Sequence, residues 1–140
     1  MKYLLDTCVI SELIRPIPSP KVIGWIDSHD EQDLYLSVIT LGEIQKGISK
    51  LAEGKKKMLL QSWLADELLE RFNGRILNVT TEAALHWGGI LGDSEKNGRT
   101  LPVVDALIAA IAITNGLTLV TRNTSDMTAS GAHLFDPWFS

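Results

Sequence analysis

Short β-rich apolar runs alternate along this chain with longer segments whose apolar residues recur every three or four positions. Lys2–Asp6 (KYLLD) predicts a first strand that ends in a carboxylate. Thr7–Ile14 predicts a helical segment, broken by Arg15-Pro16-Ile17-Pro18. Ser19 as N-cap and Pro20 at the first helical position open a short helix carrying Val22, Ile23, Trp25 and Ile26. Asp33–Ser37 (DLYLS) predicts a second strand, and Thr40–Ala52 a helix with Leu41, Ile44, Ile48 and Leu51 on one stripe. After a charged turn over Glu53–Lys57, Met58–Phe72 predicts a long helix that turns Leu60, Trp63, Leu64, Leu68 and Leu69 inward. Asn73-Gly74 stops it before a third strand, Arg75–Val79. Thr80 or Thr81 caps the next helix, with Ala83, Ala84, Trp87 and Ile90 as core candidates. Leu117–Thr121 and Leu134-Phe135 predict the last two strands, separated by a polar turn over Arg122–Met127.

The stretch Leu101–Gly116 (LPVVDALIAAIAITNG) stands apart. Pro102 suits the first turn of a helix and Gly116 its C-terminal cap. Between them almost no polar face remains, which predicts a helix buried all round. It is shorter than the roughly 20 apolar residues a membrane span requires. Asp105 in its first turns is the exception, and a buried carboxylate needs a partner, hydrogen bonds or a metal. The positive end of the helix dipole gives it an ordinary role; a functional site gives it another.

Strands alternating with helices predict one three-layer α/β/α domain over residues 1–140, with a mostly parallel central sheet. Hydrophobic residues at 45% and charged residues at 21% fit an ordinary globular protein, and 140 residues suffice for one sizeable core. The single cysteine, Cys8, excludes a disulfide framework and a multi-cysteine zinc site, and fits a reducing compartment. Met1 leads directly into a strand-like run, so no signal peptide and no membrane span are expected, and the cytoplasm is the default location. A net charge of −4 argues against coating nucleic acid by bulk charge, but suits an acidic cluster that needs a cation.

Functional groups of such a sheet gather outside the carboxyl ends of its strands. Asp6 ends the first strand, Glu43 lies near the start of the helix after the second, Asp105 opens the apolar helix, and Asp126 follows the fourth strand beside Asn123. Each has an ordinary reading: Asp6 as a helix cap, Glu43 as a solvated helix face, Asp126 as a turn residue. Together they form a constellation of like charges that divalent cations stabilise. Oxygen ligands suit Mg²⁺ or Mn²⁺, and such ions support phosphodiester cleavage.

The segments LLDTCVISEL, YLSVITLGEIQKGI, LPVVDALIAAIA and LTLVTRNTSDM resemble, in order, the four acidic motifs of PIN-domain ribonucleases. The resemblance is closest to VapC-type toxins of bacterial toxin–antitoxin pairs, and within them to the FitB-like branch, through RPIPSPKVIGWID and the terminal DPW. It covers essentially the whole chain. It implies a Mg²⁺- or Mn²⁺-dependent endoribonuclease that inhibits translation by cutting RNA, often tRNA or ribosomal RNA. It also implies a small antitoxin partner, a homodimer, and promoter DNA bound only through the antitoxin. Asp6, Glu43 and Asp105 match the three core acidic positions and are the implied catalytic metal ligands. The fourth position falls on Asn123 or Asp126. We favour Asp126, with Thr121 and Asn123 supporting. Cys8 departs from the asparagine usual at its position, removing an amide at the edge of the site.

A catalytically inactive PIN scaffold that binds a protein is the alternative; the presence of all the acids counts against it. A haloacid-type phosphatase requires an aspartate where Cys8 stands, and a receiver domain requires adjacent early acids and a late lysine. Cys8 has no evident histidine partner among His29, His86 and His133, so it reads as a small packing residue rather than a nucleophile. Lys55, Lys56 and Lys57 read as a solvated turn, with RNA phosphate as the alternative. Arg122 contacts substrate phosphate or pairs with an aspartate. Trp25, Trp63 and Trp87 read as packing residues, Trp138 as a dimer or fold-closing anchor, and Glu12 as the partner of a basic residue or as surface.

Overall fold

The computed structural model describes residues 1–139; Ser140, included in the expected domain span, lies outside the described residues. Five strands form one sheet: β1 (Tyr3–Leu5), β2 (Leu34–Ser37), β3 (Ile76–Leu77), β4 (Thr118–Val120) and β5 (Leu134–Phe135). Their order is β3-β2-β1-β4-β5, and every pairing is parallel. Tyr3 registers with Leu34 on one side and Thr118 on the other. The chain first winds outward from β1 through β2 to β3, then crosses back to β4. A crevice therefore opens at the carboxyl ends of β1 and β4, where the winding reverses.

Alternation along the strands divides the core. Leu5, Leu34, Leu36 and Val120 face one side, with Val9, Ile10, Val22, Ile26, Ile44 and Phe72. Leu4 and Leu119 face the other, with Ala83, Ile108, Ile111 and Met127. The first side is covered by α1 (Thr7–Glu12), α2 (Pro20–Asp27), α3 (Val38–Ser49), α4 (Lys55–Ser62) and α5 (Leu69–Arg71). The second is covered by α6 (Thr81–Lys96), α7 (Val103–Thr114) and the single turn α8 (Thr124–Met127). Among the described residues, no helix is long and apolar enough to cross a membrane.

Several local expectations hold. Ser19 caps α2 by accepting from the Val22 N–H, and Thr80 rather than Thr81 caps α6 through Ala83. Gly116 takes φ +67° just beyond α7, the left-handed conformation that ends helices and favours glycine. Trp25, Trp63 and Trp87 pack against core clusters.

Others change. Helix α4 begins at Lys55, not Met58, and Trp63–Leu68 widens into a π-helical segment. That wider turn shifts the helical face, so Leu69 comes out 38% exposed rather than inward. Pro102 is the N-cap of α7, extended at ψ 131°, and accepts from the Ala106 N–H. Helix α7 is not buried all round. From Ala106 to Ala112 it is core, but Val103 and Val104 are 57% and 41% exposed because its first turn projects past the sheet. Asp105 lies in that projecting turn.

A side chain without a sequence signal holds the far edge. Arg75, 7% exposed, donates from its guanidinium to the carbonyl oxygens of Glu31, Leu34 and Arg71, and lies 4.9 Å over the Phe72 ring. It ties β2 to the chain entering β3.

Candidate metal centre

Asp6 follows β1 directly. Its backbone N–H still pairs with the Val120 carbonyl, so the sheet ladder aims the residue at the crevice. Its side chain is 3% exposed. One carboxylate oxygen caps α1 by accepting from the Thr7 N–H at 2.8 Å; the other accepts from the Thr121 hydroxyl at 2.7 Å. The capping role and the edge position thus coexist in one residue. Burial raises the Asp6 carboxyl above the usual carboxylate range, and the charge of Glu43 raises it further against the hydrogen bonds of Thr121 and Thr7.

Glu43 is half-buried in α3, and the hydroxyl of Thr7 donates to its Oε1 at 2.5 Å. Behind it, Thr7 and Thr40 hydroxyls lie 3.1 Å apart, and Ser37 caps α3 through the Thr40 N–H. Thr7, Thr40 and Ser37 were not singled out in the sequence. Their signal is a cap position after a strand and a hydroxyl three or four residues before an acid.

Asp105 is half-buried in the first turn of α7. Its carboxyl is raised by burial first, then by the charges of Asp6, Glu43 and Asp126. Asp126 sits exposed in the first turn of α8. Asn123 is also exposed; its backbone N–H donates to the Thr121 Oγ1, and its side chain makes no cap bond.

Cys8 belongs to the same network. Its Sγ lies 3.9 Å from Asp6 Oδ2 and 3.7 Å from Thr121 Oγ1, and accepts from the Arg122 N–H. Burial, then the charge of Asp6, pushes its thiol pKa up, so the reactive thiolate is disfavoured. Among the described residues Arg122 pairs with no aspartate; its guanidinium lies 4.7 Å over the Trp138 ring. Trp138 packs against the α1–α5 side of the core, as a fold-closing anchor would. Glu12 is buried at 2% exposure, accepting from Arg15 at 2.7 Å and from the Ser19 N–H at 2.8 Å. It locks the end of α1 to the start of α2.

The donor set suits a hard divalent cation. Every acid is a carboxylate, hydroxyls support two of them, and Asp6 and Asp105 are held above their ordinary range by burial first and then by neighbouring negative charge, which a cation would offset. Among the described residues, no group of three acids, thiols or imidazoles already stands at the spacing of one ion's inner shell. Mg²⁺ commonly keeps several waters and takes few direct carboxylates, so a wide carboxylate ring is compatible with it.

A family model described as PIN domain matches residues 3–127. The chain belongs to the PIN domain family. It is 39% identical to Toxin FitB of Neisseria gonorrhoeae, over 96% of this chain and 97% of that protein. It is 34% identical to VapC ribonuclease Y4jK of Sinorhizobium fredii, over 96% of each. Among solved structures it superposes on a chain of FitAB bound to an IR36 DNA fragment, with TM-score 0.91 and 38% identity, over 97% of this chain and 95% of that one. The PIN fold therefore accounts for the parallel sheet flanked by helices.

Proposed function

We propose that this PIN domain, residues 1–140, is the toxin of a toxin–antitoxin pair and a Mg²⁺- or Mn²⁺-dependent endoribonuclease. The observation that carries the reading is that Asp6 and Glu43, from separate parts of the chain, are joined through Thr7 beside the strand ends, next to the first turn of α7 that carries Asp105. Similarity to a protein named as a toxin and to one named as a ribonuclease supports the same reading.

Asp6, Glu43, Asp105 and Asp126 would hold the ion. A cation bound there would supply activation of water and stabilisation of the charge that develops on the phosphodiester. Thr121 and the Thr7 N–H fix the two oxygens of Asp6. The Thr7 hydroxyl fixes Glu43. Asn123 serves Thr121 through its backbone. In this reading the chain acts on tRNA or ribosomal RNA in the cytoplasm as a homodimer, is silenced by a small antitoxin, and reaches promoter DNA only through that antitoxin.

Induced expression in a bacterial host tests the proposal, with total RNA mapped for new 5′ ends. Wild type is expected to arrest growth and create discrete new ends; Asp105→Asn, folded to the same degree, is expected to do neither. Arrest by both proteins would assign the harm to binding and favour the inactive-scaffold alternative.

A further inference from the structure

A cavity of about 220 Å³ opens beside the acidic edge, between α1, α3 and α4. Thr7 and Glu43, which belong to the carboxylate network, line it. Ile14, Ile44, Leu51 and Leu60 make apolar walls, and Ser11 adds one hydroxyl. The volume is below the 300–1,000 Å³ of sites for drug-sized molecules, so it suits a single small ring system.

One lysine, Lys56, lines it. Lys46, Lys50, Lys55, Lys56 and Lys57 are five of the chain's eight lysines and fall within twelve residues of an otherwise acidic sequence. Lys57 pairs with Glu53 at 2.7 Å across the α3–α4 turn. Among the described residues, the other four lysines form no ion pair. Phosphate is the chemistry that such free ammonium groups recognise. A mostly apolar slot lined by one ammonium group, Lys56, and one carboxylate, Glu43, matches a nucleotide: base against the apolar walls, phosphate on Lys56, the neighbouring phosphodiester toward Glu43.

We infer that this cavity is a base-binding subsite, which seats one nucleobase of single-stranded RNA next to the bond to be cut and so sets base preference. The inference rests on the ribonuclease reading for its purpose. The cavity and its Lys56 stand independently of it.

Gly47 allows a clean test. It lines the cavity from the middle of α3, and an added Cβ would meet nothing within 4 Å. Gly47→Leu therefore fills the slot while favouring the helix. The four nucleoside 5′-monophosphates and ribose 5-phosphate are titrated into ¹⁵N-labelled full-length protein in EDTA, alongside RNA cleavage assays in Mn²⁺. Wild type is expected to shift the Ser11 and Gly47 amides with some bases more than others. Gly47→Leu is expected to weaken that binding at least tenfold and to flatten base preference at the cut site. Lys56→Ala is expected to weaken all four nucleotides alike.

Equal responses to ribose 5-phosphate and to all nucleotides, or unchanged binding in Gly47→Leu, would overturn the inference. So would the absence of shifts at millimolar nucleotide, or a Gly47→Leu protein that loses only antitoxin binding, which would assign the slot to a protein segment. The two readings fail separately. Base-selective shifts in a protein that cleaves no RNA would remove the nuclease and leave the subsite; cleavage with unaltered preference in Gly47→Leu would do the reverse.

Discussion

Thr7 is the residue through which two of the acids, Asp6 and Glu43, are joined. Its N–H caps Asp6 and its hydroxyl holds Glu43, so one residue orients both carboxylates. Hydrogen bonds to ionised groups contribute about 1.5–3 kcal/mol, and removal of an orienting partner behind a metal ligand lowers metal affinity or activity about 10–100-fold. Thr7→Val keeps the shape and the backbone bond but removes the hydroxyl. It is expected to weaken Mn²⁺ binding by that factor in a calorimetric titration, with Thr7→Ser restoring it. Unchanged affinity in Thr7→Val would mean that Glu43 needs no such support. Cys8 is a different case. Its sulfur fills the space between Asp6, Thr121 and the Arg122 backbone. A protonated thiol there is a weak donor to Asp6 where the related motif offers an amide.

At the scale of elements, Arg75 is the strongest single tie. Its alanine variant strips a charged donor from three backbone carbonyls, each worth about 1–3 kcal/mol when left unsatisfied. Arg75→Ala is expected to lower stability by at least about 3 kcal/mol, read as a shift in the urea midpoint at unchanged slope. A change below about 1 kcal/mol would show that water replaces the guanidinium. Such a residue was invisible in the sequence, where it reads only as the first polar position of a strand. The strands themselves were legible because each is a short apolar run bounded by turn chemistry, and helix starts were legible wherever Ser19 or Thr80 stood ahead of a periodic stripe. Helix α7 was legible as the buried element, but its apolar composition concealed that Val103 and Val104 project past the sheet. Composition reports how apolar a segment is, whereas exposure depends on where its end lies relative to the neighbouring strands. The acids were legible for a simple reason: each falls one to six residues beyond a strand end or in a helix's first turn, and a parallel sheet brings those places to one edge. The hydroxyls behind them were not, because threonine and serine near helix starts are common caps.

For the whole molecule, the winding reverses between β1 and β4, and the strand ends there carry Asp6 and lead toward Asp126. Asp6 and Asp105 are both raised, so these two groups bind more protons in the folded protein than in the unfolded chain across the carboxylate range. Without metal, the stability contributed by these two groups therefore falls as pH rises from their unfolded values through their folded ones, and does not return above that. Glu12 acts in the opposite sense. Burial would raise its carboxyl, but its bonds to Ser19 and Arg15 outweigh this and hold it low. Its contribution is present above the unfolded value and is lost as pH falls through the folded one. Protons and metal compete for the same oxygens, so a bound cation stabilises most where the acids are ionised.

The most direct measurement is thermal unfolding of wild type and Asp105→Asn, with and without Mn²⁺, at pH 5 and pH 8. At Mn²⁺ a hundredfold above its dissociation constant, binding adds about 2.7 kcal/mol, or roughly 5–10 °C for a chain of this size. The predicted result is a Mn²⁺-dependent rise of that order in wild type at pH 8, smaller at pH 5, and largely lost in Asp105→Asn. An equal rise in both proteins, or none in wild type at either pH, would contradict a carboxylate-held metal centre at this edge.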